Sequence, residues 1–135
     1  MNKTKILIVD DEASVLEVVK RSLEANSYVE VRTESDSRRA LHVACEFWPD
    51  LILLDINMPN MDGGDVAQAL RGHALTKDIP IIFLSALAAT TEAREQSNAG
   101  DADYFVAKPV TAAELLRAIE DRLGRSLRPP APSSG

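Results

Sequence analysis

The chain has little cysteine, no long apolar run near its start and no excess of positive charge. Its one cysteine, Cys45, excludes an intrachain disulfide, and nothing demands an oxidising compartment. The apolar run at residues 6–9 is too short for a signal peptide or a membrane span. A formal net charge of -6 argues against a surface for nucleic acid or anionic membranes. These absences predict a cytoplasmic protein with no direct nucleic-acid partner and no membrane partner.

The length of 135 residues and a hydrophobic fraction of 45% are typical of one globular domain. The last stretch, GRSLRPPAPSSG, is rich in proline, serine and glycine and has no core pattern. We therefore expect a folded domain over residues 1–124 and a flexible tail or linker over residues 125–135.

Short aliphatic runs alternate with longer amphipathic stretches along the chain. The runs at 5–9, 51–54, 80–84 and 104–107 are nearly continuous in apolar residues, as in strands covered on both faces. The run at 29–33 alternates and fits an edge strand. Helical stripes fall at 15–23, 40–48, 65–71, 90–99 and 112–123, and Thr111 with Glu114 forms a capping-box signature before the last. Five such units predict an α/β fold with an open parallel sheet.

Ligands of open parallel sheets bind outside the carboxyl ends of the strands. The second strand ends in Thr33, Glu34 and Ser35, which suggest no chemistry, but the polar residues after the other four strands could form a site. They are Asp10 and Asp11 after the first strand, Asp55 after the third, Ser85 after the fourth and Lys108 after the fifth. Taken singly, each has an ordinary explanation: Asp10 or Asp11 caps the next helix, and a lysine is solvated. Ser85 also fits a helix cap. Their coincidence on one rim indicates a site.

Asp55 has the fewest ordinary explanations, because four apolar residues lead directly into it. A buried carboxylate is costly unless something compensates it, and three neighbouring carboxylates repel one another. A hard divalent cation is the simplest remedy, and Mg²⁺ in proteins usually combines one or two carboxylates with phosphate oxygens. Asp62 and Asp65 are interpreted as loop or cap residues, and the glycines at 63 and 64 let the chain turn into the third helix.

Three other kinds of site fit less well. A flavin binder needs a phosphate loop rich in glycine, serine or threonine after the first strand, where this chain has Asp10, Asp11 and Glu12. A haloacid-dehalogenase-type phosphatase needs Asp-x-Asp there. A calcium loop that starts at Asp55 would have Asn60 in place of its glycine and Val66 in place of its glutamate.

The segments ILIVDDE, PDLILLDINMPNMDGGD, PIIFLSA and YFVAKPV closely resemble, in order and spacing, the receiver domain of two-component response regulators. The likeness runs from Lys5 to about Gly124. It implies a chemotaxis-regulator-like, flavodoxin-like, doubly wound (βα)5 fold with a five-stranded parallel sheet in the order 2-1-3-4-5. It also implies a bacterial phosphorelay protein that is not an enzyme but a phosphoacceptor signalling domain, which catalyses its own phosphorylation and slow dephosphorylation.

The resemblance further implies roles for the acidic residues. Asp55 would be the phosphoacceptor, which attacks the phosphohistidine of a sensor histidine kinase or a phosphotransfer protein. Asp10, Asp11 and Asp55, together with the backbone carbonyl of Asn57, would hold Mg²⁺ or Mn²⁺.

The remaining roles that the resemblance implies concern the fourth and fifth strands. Lys108 would pair with Asp55 and then with a phosphoryl oxygen, and Ser85 would hydrogen-bond another. Pro109 is a candidate cis peptide, although an ordinary trans proline fits the sequence equally. Ser85 and an aromatic residue, Phe105 or Tyr104, would switch the face formed by the fourth helix, fifth strand and fifth helix.

The chain departs from the family pattern in three places. GDADYFVAKP has one extra residue before the lysine, which leaves Phe105 and Tyr104 both open as the switch aromatic. Leu87 stands where many relatives have a polar residue that positions water, which predicts a long-lived phosphoryl-aspartate. No output domain follows the tail, so the expected target is a downstream protein or a missing effector domain. A phosphorylation-dependent homodimer and an unphosphorylated docking module remain open alternatives.

Overall fold

The structure is a computed structural model that describes residues 3–56, 58, 62–85, 104–107 and 111–127. Its elements are β1 (Thr4–Val9), α1 (Ala13–Glu24), β2 (Val29–Glu34), a 3-10 turn (Ser37–Arg39), α2 (Ala40–Phe47), β3 (Leu51–Asp55), α3 (Gly63–Arg71), β4 (Ile81–Ser85), β5 (Tyr104–Ala107) and α4 (Ala112–Leu123). The helix predicted at 90–99 lies outside the described residues. The helix predicted as the fifth is therefore α4 here.

All five strands are parallel and lie in the order β2-β1-β3-β4-β5, which confirms the predicted topology. The edge strand β2 alternates between buried and exposed residues along its first half, whereas every residue of β3 is buried. This difference follows from position, because β3 has a neighbouring strand on each side and helices on each face. The carboxyl ends of the strands consequently share one rim of the sheet.

Two hydrophobic clusters hold the sheet between its helices. Ile52 and Leu54 of β3 belong to a cluster with buried side chains of α2 and α3. Leu51 and Leu53 belong to a second cluster with buried side chains of α1 and α4. Because successive side chains of a strand point to opposite faces, this continuous apolar run anchors β3 in both cores. Asp55, which follows this run, therefore lies at the rim at the end of a strand that is held by both clusters.

The last described residues pack against the domain. Gly124 ends α4 with a φ of 69°, in the left-handed region where glycine is favoured. The Arg125 guanidinium donates to the hydroxyl of Thr4 at 3.1 Å, and the Leu127 N–H donates to the carboxylate of Glu120 at 2.9 Å. Leu127 is 3% exposed in the second cluster. Residues 125–127 therefore pack against β1 and α4, and the domain boundary at residue 124 and the flexible tail stay predictions.

Trp48 adopts an unusual backbone conformation at the end of α2. Its φ and ψ are both 57°, the left-handed conformation, and its N–H donates to the carbonyl of Ala44 at 3.0 Å. A residue with a Cβ pays a steric penalty of about 1–2 kcal/mol in this conformation. The side chain is 62% exposed, so burial offsets little of this penalty.

We expect Trp48→Gly to raise the free energy of unfolding by about 1 kcal/mol, because glycine removes the steric penalty of the left-handed conformation. Trp48→Ala is the control, since it removes the indole and keeps the Cβ. The measurement is urea unfolding followed by far-ultraviolet circular dichroism, because both variants lack the only tryptophan. Equal stabilities of the glycine and alanine variants would show that backbone strain at this position is negligible.

Candidate functional site

Asp10 lies immediately after β1 and is 0% exposed. Its N–H donates to the carbonyl of Glu34 at 3.2 Å, and its carboxylate accepts from the N–H of Glu12 at 3.0 Å. The N-cap residue of α1 is Glu12, and its side chain makes no capping hydrogen bond. The N-cap position of the first helix is thus occupied by neither Asp10 nor Asp11, although the Asp10 carboxylate accepts the backbone N–H of the N-cap residue.

Asp55 is the last residue of β3 and is 4% exposed. It lies opposite Leu84 of β4 in the strand register, and the N–H of Ile56 donates to the carbonyl of Leu84 at 3.1 Å. Pairing thus continues through the carboxylate-bearing residue and one residue beyond it. The backbone of Asp55 is fixed by the sheet and is not part of a loop.

The structure brings the three predicted acidic residues together. Asp10, Asp11 and Asp55 each offer a carboxylate oxygen, and these oxygens lie within 4.8 Å of one another. Oxygens on opposite sides of one Mg²⁺ ion are about 4.2 Å apart, so small side-chain movements would let the three share an ion. Two of the carboxylates are buried and Asp11 is exposed, which leaves a side open to water and to a phosphate. This donor set fits a hard divalent cation.

Arginines of the neighbouring connection between β2 and α2 are engaged with other acids. Arg38 binds Asp36 through Nε and Nη2, each at 3.1 Å, and Arg39 lies 3.8 Å from the carboxylate of Glu34. The hydrogen bond from the Arg38 side chain, followed by that from its backbone N–H, lowers the pKa of Asp36. Both arginines are therefore paired with acids outside the trio.

The start of α3 lies against the backbone of Asp55 and Ile56. The N–H of Gly63 donates to the carbonyl of Ile56 at 2.9 Å, and the carboxylate of Asp62 caps α3 by accepting from the N–H of Asp65 at 2.9 Å. The prediction that Asp62 is a cap residue is confirmed. A Cβ on Gly63 would lie 2.6 Å from the carbonyl oxygen of Asp55. The sequence predicted that this glycine lets the chain turn into α3, and it gave no sign that α3 approaches the Asp55 carbonyl so closely.

Four residues singled out in the sequence lie outside the described residues. They are Asn57, Leu87, Lys108 and Pro109. The carbonyl ligand, the water-positioning difference, the lysine and the cis peptide therefore stay predictions.

Ser85, Tyr104 and Phe105 are placed through their backbones. Ser85 ends β4 and lies opposite Ala107 of β5, while Tyr104 and Phe105 lie in β5 opposite Ile82 and Phe83. The structure does not describe the side chains of these three predicted residues. Their roles as hydroxyl donor and switch aromatics stay predictions, although the end of β4 falls on the rim where the sequence placed it.

None of the described helices is long and apolar enough to cross a bilayer.

The sequence matches the response regulator receiver domain family over residues 6–120. It is 39% identical over 125 residues to the transcriptional regulatory protein PrrA of Mycobacterium leprae, a match that covers 93% of this chain and 52% of that protein. The chain thus spans about half the length of this relative.

Two solved structures have the same fold. The chemotaxis protein CheY4 of Vibrio cholerae is 32% identical with a TM-score of 0.78, over 89% of this chain and 98% of that one. The receiver domain of the sensor histidine kinase PA1611 from Pseudomonas aeruginosa is 29% identical with a TM-score of 0.80, over 90% and 98%, and its structure contains a coordinated magnesium ion in the active site cleft. The fold, the acidic rim and the match to most of the sequence agree, and the chain belongs to the family of response regulator receiver domains, the phosphoacceptor domains of two-component signalling.

Proposed function

We propose that Asp55 accepts a phosphoryl group from the phosphohistidine of a sensor histidine kinase or a phosphotransfer protein in a Mg²⁺-dependent reaction. A carboxylate oxygen of Asp55 forms the new P–O bond as the P–N bond to the donor imidazole breaks. The electron pair of that bond returns to the imidazole nitrogen, which then takes a proton. The observation that carries this proposal is the convergence of Asp10, Asp11 and Asp55 at the end of the central strands.

Asp10, Asp11 and Asp55 would hold the Mg²⁺, with the backbone carbonyl of Asn57 as the predicted further ligand; Mn²⁺ would fit the same oxygens. When bound, the metal supplies positive charge that offsets the charge on the phosphoryl oxygens. Asp11 is exposed, whereas Asp10 and Asp55 are buried. This arrangement supports a metal site that a phosphate donor can approach from the side of Asp11.

The chain itself contributes position more than covalent chemistry. Phosphoryl transfer depends mainly on alignment and charge stabilisation, and alignment is supplied here by the anchored end of β3. Lys108 would bind a phosphoryl oxygen, and Ser85 another. Movement of Ser85 with Phe105 or Tyr104 would then alter the face formed by the predicted fourth helix, β5 and α4.

The output is proposed to be protein binding by this switched face in the cytoplasm. PrrA is a transcriptional regulator, and this chain matches about half of its length. The target is consequently either a downstream protein or an effector domain that lies beyond this sequence. A phosphorylation-dependent homodimer through the same face is the alternative form of output.

The test is the intact mass of the protein after incubation with acetyl phosphate and Mg²⁺. We expect a gain of one phosphoryl group by the wild type, and no gain when EDTA removes the metal or when Asp55 is replaced by alanine. Asp65→Ala is the matched control, because it removes a nearby aspartate that caps nothing and lies outside the trio. Uptake that survives Asp55→Ala would refute the proposal. Mg²⁺ binding without uptake by the wild type would favour the docking module.

A further inference from the structure

The first residue of α3 lies directly against the peptide that follows the acceptor. A Cβ built on Gly63 would stand 2.6 Å from the carbonyl oxygen of Asp55, 2.8 Å from the Cα of Ile56 and 3.2 Å from the carbonyl carbon of Asp55. Real Cβ atoms essentially never approach other atoms closer than 3.0 Å. All three neighbours are backbone atoms, so no side-chain rotation can relieve the contact.

Space, and not conformational freedom, is what requires glycine at this position. Gly63 is helical, and among the described glycines a positive φ occurs at Gly124. Neither the end of β3 nor the start of α3 can move without a loss of strand pairing or core packing. The end of β3 is paired to β4, and the first turns of α3 are held in the first cluster by the buried side chains of Val66 and Ala67.

We propose that Gly63 is a positioning residue for the acceptor, an inference that rests on the function proposed for Asp55. The missing side chain lets α3 pack on the peptide between Asp55 and Ile56, and the Gly63 N–H donates a hydrogen bond to the Ile56 carbonyl. A side chain at this position displaces Asp55 relative to Asp10 and Asp11. Both metal binding and transfer then suffer.

The variant Gly63→Ala is expected to raise the Mg²⁺ dissociation constant by about 10- to 100-fold. A loss of this size is typical when a residue that orients a metal ligand is replaced. At saturating Mg²⁺ its rate of phosphoryl uptake from acetyl phosphate is expected to fall by about 100-fold, the effect of a misplacement of roughly 1 Å. Calorimetric titration measures the first and time-resolved intact mass the second.

Two controls separate positioning from loss of stability. Leu70→Ala removes buried packing from the far end of α3, and we expect it to destabilise the protein while the Mg²⁺ dissociation constant of the folded molecules is unchanged. Gly72→Ala adds a Cβ that meets only carbonyl oxygens of its own helix, at 3.4 and 3.7 Å, and should leave binding and uptake unchanged. Wild-type values for Gly63→Ala, or an equal loss in Leu70→Ala, would overturn the inference.

A second pair of variants applies if Gly63→Ala does not fold. Asp62→Ala and Asp62→Asn remove the same charge, but asparagine keeps the cap of α3 and alanine loses it. If the packing of the first turn of α3 positions the acceptor, we expect Asp62→Ala to bind Mg²⁺ several-fold more weakly than Asp62→Asn. Equal affinities of the two variants would overturn the inference. A wild type that takes up no phosphoryl group would instead sink the proposed function, and the Mg²⁺ affinities would still decide the role of Gly63.

Discussion

An Asp55→Asn variant is expected to accept no phosphoryl group and yet to unfold at a higher temperature than the wild type when divalent cations are absent. The loss of uptake follows because the amide oxygen is a poor nucleophile and carries no charge to attract the metal. The gain in stability follows because Asp55 and Asp10 are buried carboxylates that lie within reach of one another. Removing one of two like charges relieves their repulsion.

The size of this repulsion can be bounded. Two charges at 4.8 Å, the upper limit of the distances between these oxygens, interact with about 3.5 kcal/mol at the effective dielectric constant of about 20 that suits protein sites. The predicted approach of Lys108 and the hydrogen bond from Glu12 to Asp10 reduce the net effect. We therefore expect a net stabilisation of about 1 kcal/mol in the metal-free variant.

Magnesium should reverse the order of the two proteins. A ligand that binds only the folded state stabilises it by about 2.7 kcal/mol at 100 times its dissociation constant, and the wild type gains this fully. Thermal unfolding by circular dichroism, in EDTA and in excess Mg²⁺, measures both arms. Asp78→Asn is the charge-matched control, because Asp78 is exposed and outside the trio. A lower unfolding temperature of Asp55→Asn in EDTA would mean that repulsion in the trio does not govern stability.

Replacing Phe83 by alanine is expected to lower the free energy of unfolding by about 3–5 kcal/mol. Phe83 is fully buried in the first cluster, in the strand between β3 and β5. The ring packs among residues of rigid strands and two helices, so the surroundings can collapse only partly into the vacated space. Because whole domains are stable by about 5–15 kcal/mol, this one change removes a large part of the total.

Urea unfolding followed by circular dichroism measures the loss. The matched control is Val18→Ala on α1, since Val18 is an exposed aliphatic residue whose truncation should change stability by less than about 0.5 kcal/mol. A loss of under about 1 kcal/mol for Phe83→Ala would imply that the core around β4 repacks, contrary to the dense packing expected of a protein interior.

Much of the fold could be predicted because the residue types of each strand indicate whether one or both of its faces are buried. The run ending at Asp55 is apolar at every position, which indicates burial on both faces, and the structure places it as the third of five strands. The acidic trio could be predicted for a related reason. Parallel strands bring their carboxyl ends to one rim, so polar residues at the ends of neighbouring strands meet however far apart they lie in sequence.

Other features depend on packing between distant segments and leave no local pattern. The glycine at 63 reads as a turn residue until the distance from α3 to the Asp55 carbonyl is known. Leu127 stands in a stretch rich in proline and serine, yet it enters the second cluster because Glu120 and Thr4 hold the chain against the domain. Such contacts could not be predicted, because composition records the residue types of a segment and not what they touch.

The place of the only tryptophan determines what the fluorescence of this protein can report. Trp48 precedes β3, whereas Asp55 ends it, so the length of a five-residue strand, about 17 Å, lies along the backbone between the two residues. Trp48 thus lies toward the end of β3 that is opposite to the acidic trio. An emission change on phosphorylation would therefore indicate a structural change that is transmitted along the sheet to the end that carries Trp48. An unchanged emission would indicate that β3 stays rigid.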